Sequence, residues 1–136
     1  MRRGVLASVF LGVSLMGHAT TPLQSDVSLQ LVNADPHVAI RIYLDRKLVY
    51  QGMPSQGNAG DSPSVPVKVG TFSLDKLTRH TIIAEVVGSP IKSQVEWAPN
   101  SMSSSWAVIS YYRGREKPAE PAFFGIAFQK EAYKTK

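Results

Sequence analysis

Apolar and polar residues alternate with a period of two in run after run of this chain, and this alternation restricts the possible folds more than any other feature. In the clearest run, Val38, Ile40 and Ile42 fall on one face of an extended segment. Successive side chains of a strand point to opposite faces, so such a run predicts a half-buried β-strand. No segment with a helical period occurs after residue 19. The sequence therefore predicts an all-β protein.

The alternating runs are separated by Gly, Pro, Asn, Asp and Ser residues, and their spacing predicts seven or eight strands. An antiparallel β-sandwich of the immunoglobulin-like or transthyretin-like kind is the expected architecture, with a closed barrel as the alternative. This likeness concerns the class of fold alone, because the cysteines and the core tryptophan spacing of true immunoglobulin domains are absent. The predicted strands cover residues 27–32, 38–44, 47–51, 65–74, 80–87, 91–97, 106–112 and 122–129.

Four segments carry more specific predictions. Asp45-Arg46 is expected to form a tight hairpin turn, although it lacks the glycine that such turns prefer. Gly70 interrupts an alternating run and predicts a bulge or bend. The run 106–112 is almost continuously apolar, which predicts a central position in its sheet. Residues 52–64, rich in glycine and proline, predict a long loop, for which disorder is favoured over function.

The first nineteen residues have the features of a secretory signal peptide. Arg2 and Arg3 precede an apolar run, and a small-residue site ends at Ala19. The run is too short for a membrane-spanning helix, which needs about 20 apolar residues. We therefore expect a cleaved signal over 1–19, a β-sandwich domain over 20–129 and a basic tail over 130–136. The predicted location of the mature protein is periplasmic or secreted.

Composition excludes several classes of function. The chain contains no cysteine, so disulfides, thiolate metal sites and cysteine nucleophiles are excluded. Its formal charge is +5, and the signal would remove two of the arginines. The remaining excess lies in residues 113–136, where six basic side chains accompany three acidic ones. This local excess falls short of the dense basic stripe of a dedicated nucleic-acid-binding protein, so no specific nucleic acid is expected as a partner.

Residues suited to catalysis or metal binding are sparse. His37 and His80 are the histidines that follow the signal, and neither has the spacing of a metal ligand. No Gly-x-Ser-x-Gly motif of a hydrolase nucleophile occurs. We therefore expect no metal, no cofactor and no enzymatic activity. A small hydrolase with a triad built around His37 or His80 is the least favoured alternative, since a triad assembles from distant positions.

The pair Tyr111-Tyr112 provides the candidate binding site. Neighbouring residues on a strand face opposite ways, so one tyrosine is expected in the core and the other at the surface. The charged loop that follows contains Arg113, Arg115 and Lys117. Tyrosine and arginine are among the residues most often found at the energetic centres of interfaces. The sequence therefore predicts that these five residues form a contact surface, while charges that merely prevent sheet aggregation are the alternative.

These observations favour an exported, non-enzymatic binding or accessory module of the bacterial cell envelope that acts through contacts with a protein partner. The alternative is a module that binds an anionic polymer or a membrane surface through the basic C-terminal region. Strong salt dependence distinguishes the two, because binding to a polyanion weakens steeply with salt. The mature chain is expected to contain no transmembrane helix.

Overall fold

The computed structural model describes residues 23–32, 35–53, 66–99 and 105–134. The signal peptide predicted over 1–19 and most of the loop predicted over 52–64 lie outside these ranges. Within them, no helix has the length and apolar character required to cross a membrane.

The described residues form ten strands and no α-helix, which confirms the all-β prediction. Eight of the strands correspond to the eight alternating runs, with bounds that differ by a few residues. Two further strands of two residues each lie in the segment that was expected to be a loop between 113 and 121. The strands are β1 (Gln24–Val32), β2 (Ile40–Leu44), β3 (Lys47–Gly52), β4 (Val67–Asp75), β5 (His80–Val86), β6 (Lys92–Trp97), β7 (Trp106–Tyr112), β8 (Arg115–Glu116), β9 (Ala119–Glu120) and β10 (Phe123–Gln129).

The eight longer strands are divided equally between two sheets. Sheet A has the order β10-β7-β1-β4, and sheet B has the order β3-β2-β5-β6, while β8 and β9 form a small separate hairpin. Strands β1 and β7 pair in parallel, so the prediction of a purely antiparallel architecture is wrong at this position. Alternation has the same period of two in either strand direction, and for this reason the sequence pattern could not reveal the parallel pair.

One hydrophobic core lies between the two sheets. Its buried residues come from both, including Leu29 and Ile109 of sheet A and Ile42 of sheet B. Trp97 of sheet B packs against Phe128 of sheet A with 5.0 Å between ring centroids. The two sheets therefore face each other across a common apolar layer in a sandwich-like arrangement.

Three of the local predictions are confirmed. The apolar strand β7 lies between β10 and β1, in the interior of sheet A. The register of β1 against β4 shifts between Leu29 and Gln30, opposite Gly70, as expected for a bulge. Asp45 and Arg46 connect β2 to β3 in a two-residue turn with φ values of 52° and 71°. Positive φ at both central residues is the signature of a type I′ turn.

Candidate functional site

The two sheets differ in the side that each turns away from the core, here called the outer face. On sheet B, this face has a polar row that crosses all four strands in register, formed by Gln51, Arg41, Glu85 and Lys92. Arg41 contacts Glu85 at 3.5 Å, and its Nε donates to Oε1 of Gln51 at 3.3 Å. Such a row of paired charges is typical of a sheet surface in contact with water.

The outer face of sheet A is more apolar. Val32 and Val108 alternate along their strands with core residues and therefore point away from the core, yet both are buried. Gln30 belongs to the same face and is only 7% exposed. Its side chain is hydrogen-bonded to the backbone of Tyr133, near the C-terminus. The chain therefore returns over this face after the last strand, and part of the face is covered from within the molecule.

Two exposed aromatic rings stack at one end of this outer face. Tyr112 on β7 and Phe123 on β10 are directly opposite each other in the strand register. Their ring centroids are 4.7 Å apart with an interplanar angle of 21°, and the residues are 42% and 52% exposed. We call Tyr112 and Phe123 the aromatic pair. Two large rings fixed in this way present apolar area with little rotamer freedom to lose on binding.

The prediction that one tyrosine of the Tyr111-Tyr112 pair is buried and the other exposed is confirmed. Tyr111 lies in the core with its ring centroid 5.2 Å from that of Phe124. Burial raises the pKa of the Tyr111 phenol above its ordinary value, and the nearby negative charge of Asp35 raises it further. Tyr111 was included in the predicted contact surface, but it is buried, so Tyr112 is the exposed ring of the two.

Arg113 is bound to a carboxylate far away in the sequence. Its Nε lies 3.1 Å from Oδ2 of Asp35, whose side chain is largely buried. Asp35 also accepts a hydrogen bond from the backbone amide of His37 at 2.9 Å. Burial alone would raise the pKa of Asp35, but the amide of His37 and the guanidinium of Arg113 outweigh it and lower the pKa below its ordinary value. Arg113 therefore supports the loop that contains Asp35 and is held beside the aromatic pair.

The next two predicted site residues lie in the β8–β9 hairpin. Arg115 donates from Nε and Nη2 to Oε1 of Glu120, at 2.9 and 2.8 Å. Lys117 is exposed in the turn, where the Lys117-Pro118 peptide bond is cis. At the base of the hairpin, a Cβ added to Gly114 would lie 2.8 Å from the carbonyl oxygen of Glu120, so the close return of the chain requires glycine there.

The buried side chain of His80 forms two short polar contacts at the edge of the hydrophobic core. Nδ1 of His80 lies 2.6 Å from Oδ2 of Asp45, and Nε2 lies 2.7 Å from the carbonyl oxygen of Asp75. A carboxylate and a carbonyl accept hydrogen bonds, so these two contacts favour the protonated form of the ring, in which both nitrogens donate. Burial lowers the pKa of His80, but the bonds to Asp45 and Asp75 outweigh it and raise the pKa above its ordinary value of 6.5.

This geometry bears on the hydrolase alternative. The hydroxyl of Thr78 lies 3.3 Å from Nε2 of His80, so Asp45, His80 and Thr78 have the order of a catalytic triad. The same Nε2 donates to the Asp75 carbonyl at shorter distance, and a donating nitrogen cannot take the proton of a hydroxyl. Among the described residues, no group of three or more His, Asp or Glu side chains is arranged to hold a metal ion.

Reasoning from the sequence missed several residues of the site. Phe123 has the same signal as Tyr112, since it is one of two consecutive aromatic residues on a strand and only one of them can point inward. Asp35, Gln30 and Tyr133 had no such signal, because their partners are distant in sequence.

A comparison with models of protein families, with curated proteins and with solved structures finds no match to this chain. The functional inference therefore depends on the side chains themselves.

Proposed function

We propose that this protein is an exported, non-enzymatic binding module of the cell envelope that contacts a protein partner through the aromatic pair and the adjacent Arg113. The observation that carries this proposal is the stacked, exposed pair of Tyr112 and Phe123 on the more apolar outer face. Aromatic residues and arginine are enriched at protein interfaces, whereas scattered single exposed apolar residues are ordinary. The paired charges of sheet B make its outer face the less favourable one to desolvate.

We further propose that the fold is transthyretin-like and not immunoglobulin-like. In an immunoglobulin domain, the first and second strands lie in the same sheet, in the order A-B-E-D. Here β1 lies between β7 and β4, while β2 lies in the other sheet between β3 and β5. The strand order supports the second of the two expected sandwich types.

The alternative function, binding of an anionic polymer or membrane surface, has weaker support. Two of the basic side chains that suggested it, Arg113 and Arg115, are paired with carboxylates in the folded protein. A polyanion depends on these charges and would have to compete with Asp35 and Glu120 for them, whereas the protein contact proposed above depends mainly on the aromatic pair. Hydrolysis centred on His80 has weaker support still, because both ring nitrogens already lie within hydrogen-bond distance of acceptors within the fold.

Capture experiments test the proposed interface. The mature protein, immobilised, is expected to retain a specific protein from envelope extract, and Tyr112→Ser and Phe123→Ser are each expected to reduce the retained amount at least tenfold. The reason is that central aromatic residues of an interface commonly contribute 2 kcal/mol or more, about a thirtyfold change in affinity. Mass spectrometry identifies the protein, and circular dichroism verifies that each variant remains folded.

Leu48→Ser is the matched control, since Leu48 is exposed to a similar degree but lies on sheet B. Capture that survives both aromatic substitutions, or that Leu48→Ser reduces equally, would contradict the proposed site. Capture that disappears steeply between low and moderate salt would favour the anionic polymer instead.

Export is tested by a separate experiment. The N-terminal sequence of the recovered protein should begin at Thr20 or within a few residues of it.

A further inference from the structure

We propose that Gln30, on the outer face of sheet A, is a docking site for an extended polypeptide segment of a partner, and that the chain's own residues 130–134 occupy this site in the free protein. We call residues 130–134 the C-terminal segment. The inference deepens the proposed function, since it names the chemical form in which a partner meets this face. It depends on different residues from the aromatic pair, so the two can fail independently.

The contact itself has the form of backbone recognition. The backbone N–H of Tyr133 donates to Oε1 of Gln30 at 2.8 Å, and Nε2 of Gln30 donates to the backbone carbonyl of Tyr133 at 3.1 Å. One carboxamide therefore binds the donor and the acceptor of a single residue, as a neighbouring strand does. Neither hydrogen bond involves the tyrosine ring, and Tyr133 is 40% exposed. Both hydrogen bonds therefore recognise the peptide backbone, which every residue other than proline offers in the same form.

The path of the C-terminal segment follows from the strand order. It leaves the edge strand β10 at Gln129 and reaches Gln30 on β1, so it must pass over β7, which lies between them. Two strand spacings are about 10 Å, a distance that four residues span easily. Val108 pairs in register with both Ala127 and Gln30 and lies beneath this path. Its 4% exposure is consistent with that cover.

Any replacement for the C-terminal segment must satisfy the same two groups. Gln30 is 93% buried, and a buried carboxamide without partners is costly. The occupant has to supply one donor and one acceptor at the spacing of a peptide residue. An extended polypeptide segment offers this pair at every residue and can also pack along the apolar surface at Val108 and Val32. Addition of a peptide to a sheet protein through its backbone is an established mode of recognition.

The competition between the two occupants is unequal. The C-terminal segment is tethered to β10 by a few residues, so its effective concentration at Gln30 is of the order of millimolar. A partner segment on a separate molecule must compete with this effective concentration in order to displace the C-terminal segment. The tether thereby keeps the site closed in the free protein and covers apolar surface that would otherwise be exposed.

Proline substitution at the bonded residue provides the test within the full mature chain. Tyr133→Pro removes the N–H that binds Gln30 without touching any strand, whereas Tyr133→Ala retains both backbone groups and is the matched control. The probe is a capped peptide of residues 128–134 with the natural sequence. Its binding is measured by NMR, through the side-chain amide of Gln30 and the backbone amide of Val108.

In the Tyr133→Pro variant, the Gln30 side-chain amide should shift toward the position of an unbound carboxamide. The peptide should then bind this variant at least tenfold more tightly than the wild type or Tyr133→Ala. Adding Gln30→Met, which preserves size and removes the amide, should abolish the gain. Equal peptide binding by wild type and Tyr133→Pro, or binding that persists in the double variant, would overturn the proposal. Tyr112→Ser serves as a cross-check, since it should leave peptide binding unchanged even though it impairs partner capture.

Discussion

At the scale of single residues, His80 shows how a polar group is accommodated beside a hydrophobic core. The ring packs against Trp97 at 5.8 Å and donates to Asp45 on the β2–β3 turn and to the end of β4 at Asp75. Asp45 in turn accepts from the backbone amide of Thr81 at 2.9 Å. The His80 side chain thus links the β2–β3 turn of sheet B to the end of a strand of sheet A. Its role in the fold is electrostatic, and its stability contribution should depend on pH.

We expect the free energy of unfolding to fall as the pH rises above about 6.5. The folded-state pKa of His80 is raised above 6.5, so its contribution is fully present below the unfolded-state pKa and is lost as the pH rises through the folded-state pKa. Urea titrations at a series of pH values measure this slope. His80→Gln should remove it, while His37→Gln, at an exposed position, should preserve it. A slope that persists in His80→Gln would assign the pH dependence to another group.

At the scale of elements, the β2–β3 hairpin combines a favourable contact with an unfavourable backbone. Both turn residues have positive φ, a region that non-glycine residues enter at a cost. Asp45 compensates through its carboxylate, which binds His80 and Thr81. Arg46 makes no comparable contact in the described hydrogen bonds and ion pairs. The conformational cost of the turn is therefore concentrated at Arg46.

Arg46→Gly should accordingly stabilise the protein by up to about 1 kcal/mol, because glycine enters the left-handed region without a steric penalty. Glycine also raises the conformational entropy of the unfolded chain, and this offsets part of the stabilisation. Chemical denaturation measures the change. Lys47→Gly, one residue later at the start of β3, is the control and should be destabilising because a strand residue gains nothing from positive φ. A loss of stability in Arg46→Gly would show that the arginine side chain contributes more than its backbone conformation costs.

At the scale of the whole molecule, the two sheets depend on one core. Each sheet alone would expose its inner face, and neither the Trp97–Phe128 contact nor the hydrogen bond from Ser93 to the carbonyl of Phe124 could form. The polar row of sheet B and the apolar outer face of sheet A make the exterior asymmetric. Both proposed contact sites lie on the more apolar exterior, the outer face of sheet A.

Ile42→Ala should destabilise the protein by about 2–5 kcal/mol, because it leaves a cavity at a fully buried position between the sheets. Unfolding followed by circular dichroism and by tryptophan fluorescence should still give one coincident transition. Ile83→Ala provides the control, since Ile83 is on the neighbouring strand and faces outward, half-buried. An equal loss at Ile83, or two separate transitions, would contradict a single shared core.

The sequence by itself determined the positions of the eight longer strands, the central place of β7 and the burial of one tyrosine of the Tyr111-Tyr112 pair beside an exposed one. These properties follow from local backbone geometry, which alternates side chains between two faces whatever the strand pairs with. Only the tertiary structure decided that β1 and β7 run parallel, that Asp35 binds Arg113 and that Gln30 holds Tyr133. The bonded residues in the last two pairs are 78 and 103 positions apart. Their proximity depends on the order and direction of the strands, and the alternation of apolar and polar residues is the same for any order or direction.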